Sequence, residues 1–314
     1  MPDHVEKRDR FRGAFLGCAL GDAIGRPFEM MSASDGRLGP ALDALLTRSG
    51  SLSYSDDTEM MSSVAESLTR MGSVSSADIL STLARNYDPA RGYGHGMKRA
   101  LEAFERGHRA PGFSTWAEGS KGSGGAVRVV AIACAYHDDP ALLAALAEES
   151  AGVTHAHPLG RAGAVVHAAA LASALGQANP DYGTMTKEVL RHRRVSGTPM
   201  QAKLELVREL LAASADSRTA AEALGHGVLA EEAVPLALFS FLRWGPDLDA
   251  VVRNTVLCGG DTDTIAAMSG ALCGAVVGER GLPARWLERL EKGPRGADYV
   301  RSLADSTFEL WCAR

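Results

Sequence analysis

Residues 259–278, GGDTDTIAAMSGALCGAVVG, constrain the fold more than any other stretch, because they hold two acids at their start and no basic residue at all. Ile265, Met268, Leu272 and Val276 recur at helical spacing, while Ala266, Ala267, Gly270, Ala271 and Gly274 keep the other faces thin. A helix so poor in charge is a buried one, and its small residues let a neighbour come close. Its first turn nevertheless carries Asp261 and Asp263 beside Thr262 and Thr264. Carboxylates taken out of water must be paired or must hold a metal. Capping explains one acid at a helix entrance, since Asp suits both the N-cap and the helix dipole. Two acids with two hydroxyls exceed that need, so metal ligation stands beside capping as an explanation.

Ser55-Asp56-Asp57-Thr58 repeats the design ahead of a second helical run, 59–71. Four carboxylates brought together without cations would repel one another, and some would stay protonated. Two divalent ions would balance their charge. An all-oxygen donor set suits Mg²⁺ or Mn²⁺ far better than zinc. The expectation is that these two distant entrances converge.

The remainder of the chain reads as helices. Between residues 8 and 24, Phe11, Ala14, Phe15, Cys18 and Ala19 share a face, and Gly13, Gly17 and Gly21 recur every four residues, which admits a closely packed partner. Gly25 is expected to end this helix in a left-handed cap, with Pro27 blocking continuation. Glu29 follows, either a solvated surface acid or a functional one. Residues 32–53 read as a long connection with a short apolar piece near Leu42–Leu46. Helical runs follow at 76–87 and 96–106, separated by a surface turn at 88–96 with a Tyr and a His at its tip. The glycine-rich stretch 111–125 is either a flexible linker or, through Gly122-Ser123-Gly124-Gly125, an anion-binding helix entrance. A continuous buried helix is expected at 126–136, further ones near 139–150 and up to residue 175, and a polar, basic surface segment at 176–199. His155 stands before the 158–175 run, suited to contact a ligand or to make a structural bond. Helices at 200–214, 231–243, 247–258, 283–292 and 297–311 complete the chain. No segment alternates with period two, so the prediction is one compact all-α domain of about ten to fourteen helices.

Composition narrows the function classes. The chain is 46% hydrophobic but only 6% aromatic, as close helix packing requires, and its net charge of −5 offers no footprint for nucleic acid or an anionic membrane. The five cysteines are odd in number, form no CxxC pair and read as reduced core thiols. With no signal-peptide pattern and no apolar run of membrane length read from the sequence, a cytoplasmic protein is expected.

Five segments together resemble the ADP-ribosylglycohydrolase family: GCALGDAIGRPFE (17–29), SDDT (55–58), GSGGAVR (122–128), THAHPLG (154–160) and GGDTDTIAAMSGALCGA (259–275). The resemblance implies an all-α bundle around a two-magnesium centre. Ser55, Asp56 and Asp57 would then serve the metals from one side, and Asp261, Asp263 and Thr264 from the other. Glu29 stands where the family keeps an active-site glutamate. Gly122, Ser123 and Gly124 would wrap the diphosphate and distal ribose of ADP-ribose, with His155 beside the ligand. The family often has Gly-Asn-Gly-Ala where this chain has Gly-Ser-Gly-Gly, so a hydroxyl replaces an amide there. The implied reaction releases ADP-ribose from an ADP-ribosylated acceptor, a protein side chain such as arginine or serine. A non-catalytic ADP-ribose binder and a hydrolase of another ribosyl or phosphoryl compound are the alternatives.

Overall fold

The computed structural model describes residues 2–107 and 118–314, and among them the chain is helical throughout, with isolated bridges in place of strands. The helices run in the order α1 Pro2–Gly25, α2 Leu38–Thr47, α3 Asp56–Met71, α4 Ser76–Asn86, α5 His95–Glu105, α6 Gly124–Val127, α7 Val130–Tyr136, α8 Pro140–Gly152 and α9 Pro158–Gly176. They continue as α10 Tyr182–Thr186, α11 Pro199–Ala212, α12 Ser217–Leu224, α13 Ala230–Trp244, α14 Leu248–Val256, α15 Thr262–Val277, α16 Ala284–Leu287 and α17 Ala297–Ala313.

The centre of the bundle is the antiparallel pair α1 and α15. The four-residue glycine repeat of α1 meets the thin face of α15 step by step. A Cβ placed on Gly13, Gly17, Gly21 or Gly25 would lie 2.1, 2.2, 2.0 and 2.4 Å from the carbonyl oxygens of Gly274, Gly270, Ala266 and Thr262. The reciprocal positions are as tight, with a Cβ on Gly274 falling 1.8 Å from the Gly13 carbonyl. No side-chain layer separates the two backbones here. α15 is buried from Thr262 to Val276, and helices α9, α13 and α14 cover its remaining faces.

Several expectations are corrected. Gly25 keeps right-handed geometry (φ −70°), and the chain passes directly into a 3₁₀ turn, Arg26–Phe28, which accommodates Pro27 at its start. The left-handed residue is instead Met30. Within the expected long connection, Leu38, Leu42, Leu45 and Leu46 bury one face of α2. The run 126–136 is two helices, broken where Arg128 turns inward, and 283–292 contains only the short α16. α12 was not foreseen, although Asp216 caps it by accepting from Thr219 N at 2.8 Å. The basic segment is not merely solvated, since Arg193 and Arg194 both close on the Glu148 carboxylate, at 2.9 and 2.5 Å. Tyr93 is buried, and its hydroxyl donates to Glu59 at 2.7 Å. α9 is long and apolar enough to cross a membrane by length and composition, contrary to the expected lack of such a run, and 67% of its apolar window is buried inside the bundle. Cys312 is exposed, while the other four cysteines are free core thiols as expected.

The α1–α15 contact gives a direct prediction. Gly17→Ala should destabilise the fold by about 1–3 kcal/mol through overpacking, despite alanine's better helix propensity. Gly39→Ala, whose nearest neighbour is a leucine methyl 3.9 Å away, should be neutral or mildly stabilising. Urea unfolding of the two variants decides it, and equal midpoints would remove the contact from its central role.

Candidate metal centre

Three local devices bring the acidic residues to one place. The first is Asp22, fully buried near the end of α1. Its carboxylate accepts from Ser55 N at 2.8 Å, from Thr58 N at 2.9 Å and from the Thr58 hydroxyl at 2.5 Å. One side chain of α1 therefore holds the entrance of α3. Ser55 caps that helix, its hydroxyl accepting from Asp57 N at 3.2 Å, which leaves the Asp56 and Asp57 carboxylates uncommitted to capping.

The second device is the pair Gly259 and Gly260, both in the left-handed region (φ +68° and +74°). A Cβ on Gly259 would come within 2.6 Å of the Ala33 and Met31 backbone, and one on Gly260 within 1.9 Å of the His226 carbonyl, so only glycine fits. The turn pairs with the segment after α1: Met30 N donates to Gly260 O at 2.7 Å and Gly260 N to Met31 O at 2.9 Å. Met30 itself has φ +60°, a costly conformation for a side-chain-bearing residue. This arrangement sets Glu29 against α15, with one oxygen from each of Glu29, Asp261 and Asp263 lying within 4.8 Å of the others.

Asp261 occupies the N-cap position of α15 but makes no side-chain capping bond. Capping alone therefore does not explain it. Asp263 accepts from Thr264 N at 3.0 Å. Asp56 and Asp57 are not in the tight triad with Glu29, yet burial and the charges of Asp22 and Asp56, Asp261 and Asp263 act on them from both helix entrances. The two acidic entrances converge.

The third device is the glycine loop ahead of α6. Ser123 N donates to Val228 O at 2.9 Å, and its hydroxyl donates to Asp261 at 3.2 Å, so the loop is tied to the acidic cluster. The N–H groups of Gly122 and Ser123 are thus engaged, the former by Ser120 Oγ at 3.2 Å. Gly122 and Gly124 lie against the His155 ring: added Cβ atoms would meet it at 3.3 and 3.2 Å. His155 is buried, with Nδ1 2.8 Å from the Thr154 hydroxyl. Residues 111–117 of the glycine-rich stretch lie outside the described residues. The turn at 88–96 borders the cluster too, since a Cβ on Gly92 would come within 3.8 Å of Asp56. Arg91 and Tyr93 pin it by bonds to Tyr54 O at 2.9 Å and to Glu59 at 2.7 Å.

Electrostatics describe a site short of positive charge. Burial, then the neighbouring Asp22, pushes Asp56 up to about 7, and burial pushes Asp261 up to about 6. Asp57 and Asp263 are raised well above the carboxylate range by burial and by the other acids, and Asp22 is raised by burial against the pull of its hydrogen bonds. Among the described residues no Lys, Arg or His forms an ion pair with Asp22, Glu29, Asp56, Asp57, Asp261 or Asp263. A crowd of carboxylates without a basic partner has the donor chemistry of a hard divalent-cation site. Asp22 escaped the sequence reading, although a lone acid in an apolar, glycine-striped helix carries the same signal that singled out Asp261.

The ADP-ribosylglycohydrolase family model matches residues 3–314. An ADP-ribosylhydrolase ARH3 of Xenopus tropicalis is 32% identical, covering 97% of this chain and 96% of the relative. An ADP-ribosyl-[dinitrogen reductase] glycohydrolase of Rhodospirillum rubrum is 27% identical over 90% of each chain. Among solved structures, an ADP-ribosylglycohydrolase-related protein complex superposes with TM-score 0.68 at 26% identity, covering 97% of this chain and 99% of the other.

The charge crowding predicts a pH response. A carboxyl group raised on folding binds more protons folded than unfolded, so its contribution to stability falls as pH rises from about 4 to the folded value. Asp56 and Asp261 put the upper end of that window near about 7 and about 6. In chelator, Asp261→Asn should gain stability relative to wild type as pH rises from about 4 to about 6, and saturating Mg²⁺ should reduce the difference. Melting curves that keep a constant gap between the two proteins at every pH would contradict this.

Proposed function

We propose, because the chain belongs to the ADP-ribosylglycohydrolase family, that it hydrolyses the glycosidic bond between ADP-ribose and a protein acceptor with the help of two Mg²⁺ ions. The observation that carries this reading is the convergence of two acidic helix entrances and Glu29 beside a glycine loop bonded to one of them through Ser123. Asp56, Asp57, Asp261 and Asp263 would hold the ions, with the Ser55 and Thr264 oxygens completing the donor set. Mn²⁺ satisfies the same oxygen chemistry. When bound, the ions supply Lewis acidity and a water of lowered pKa.

The chain's own residues then account for the remaining work. Glycosidic cleavage builds positive charge on the ribose ring as the bond from the anomeric carbon to the acceptor nitrogen or oxygen lengthens. Glu29 is the exposed member of the acidic cluster and can take the proton of the attacking water or pass it to the departing acceptor. Ser123, Gly122 and Gly124 would contact the diphosphate and distal ribose, with His155 beside them. Water adds its oxygen to the anomeric carbon, and the acceptor leaves with a proton. Arginine or serine side chains are the proposed acceptors, and the proposed setting is the cytoplasm, with the whole chain as one domain.

The test is release of ADP-ribose from modified protein. Chelator should abolish it and Mg²⁺ restore it. Asp263→Ala should lose both turnover and metal binding. Glu29→Gln should lower kcat by about 10²–10⁴-fold while ADP-ribose affinity stays close to wild type. Undiminished release in chelator would refute the proposal.

A further inference from the structure

Arg128 is fully buried where α6 breaks into α7. Its NH1 donates to the Thr154 hydroxyl at 2.8 Å and its NH2 to the Ser150 carbonyl at 2.7 Å, while Nε has no partner. No carboxylate pairs with it among the described residues. A buried guanidinium served only by neutral oxygens is an expensive feature, and salt-bridge stabilisation does not explain it. The Thr154 hydroxyl that receives it also contacts His155 Nδ1 at 2.8 Å.

The donor count gives this chain a direction. A guanidinium can only donate, so the Thr154 oxygen accepts from Arg128. The hydroxyl proton remains to be placed, and His155 Nδ1 is the acceptor within reach. A nitrogen that accepts carries no proton, so in the neutral ring the proton sits on Nε2. Burial and the nearby Arg128 charge push His155 down to about 3, so the ring stays neutral through the physiological range. Nε2 has no protein partner among the described residues, and it lies against the glycine loop, 3.3 Å from where a Cβ on Gly122 would stand.

We propose that Arg128 and Thr154 are positioning residues that fix His155 in its Nε2–H tautomer, making it a neutral hydrogen-bond donor to an oxygen of a ligand at the glycine loop. The opposite tautomer would turn a lone pair toward that oxygen and repel it. A protonated ring would donate from both nitrogens, reversing the Thr154 bond and placing a second cation beside the buried Arg128. The tautomer assignment is independent of what binds, whereas its effect on affinity rests on the reading of the glycine loop as part of an ADP-ribose site.

Truncating Arg128 can unfold the helix junction it fills, so the test rests on Thr154. The full chain with isotope-labelled histidine is examined by long-range proton–nitrogen correlation, with His155→Asn identifying the His155 signals. Wild type and Thr154→Ser should show the Nε2–H tautomer, and the near-isosteric Thr154→Val should show a mixture. ADP-ribose binding by calorimetry should weaken about tenfold in Thr154→Val, the size of one neutral hydrogen bond, and recover in Thr154→Ser. An Nδ1–H tautomer in wild type, or an unchanged spectrum in Thr154→Val, overturns the relay. A changed tautomer with unchanged affinity overturns its role in binding. If wild type fails to bind ADP-ribose, the substrate reading falls, while the spectra still decide the relay.

Discussion

Backbone contact between α1 and α15 is the constraint on which the site depends. The two helices meet through glycine at every fourth residue, so their axes and their register are fixed by main-chain shape and not by adaptable side chains. Each glycine in a helix interior costs about 0.5–1 kcal/mol relative to alanine, and close van der Waals packing along the shared face must offset it. The Thr262 hydroxyl donates to Gly25 O at 2.9 Å and locks the end of the seam. That end is where Asp22 and Glu29 leave one helix and Asp261 and Asp263 enter the other. Residues more than two hundred positions apart thereby acquire a geometry that no local segment could specify.

At this seam the protein accepts electrostatic strain. The surrounding core is apolar, yet it encloses several acids whose charges oppose one another and that have no basic partner among the described residues. Elsewhere the chain resolves buried acids in the ordinary way: Glu148 is closed on by Arg193 and Arg194, and Glu59 receives Tyr93 and Asp88 N. The contrast separates acids that hold the fold from acids that hold something else. Left-handed Met30 and the two left-handed glycines opposite it belong to the same region, where backbone economy yields to placement.

Much of this was legible in the residues because the signals were violations. Acids and hydroxyls opening a helix, twice over and once on a helix otherwise free of charge, and glycines spaced four apart have few other uses. Asp22 was hidden by its setting, since a single carboxylate among small residues looks incidental until Ser55 and Thr58 are seen bonded to it. α2 was present in the spacing of Leu38, Leu42, Leu45 and Leu46, but serine and glycine around it suggested a loop. The break at Arg128 and the inward turn of Tyr93 had no local signature, because each is set by a partner distant in sequence: Thr154 for one and Glu59 for the other. Tertiary contacts of this kind override propensity.

The grip of Asp22 on the start of α3 has a further consequence. The hydrogen bonds to Ser55 and Thr58 tether the first turn of α3 to the most rigid element of the bundle, and they do so with protein atoms alone. A cation binding there would meet a cradle already in place, and little ordering entropy would be charged to the event. The loading rate of a divalent cation would then be set by how fast it sheds its hydration shell, and not by a folding transition of the loop that receives it.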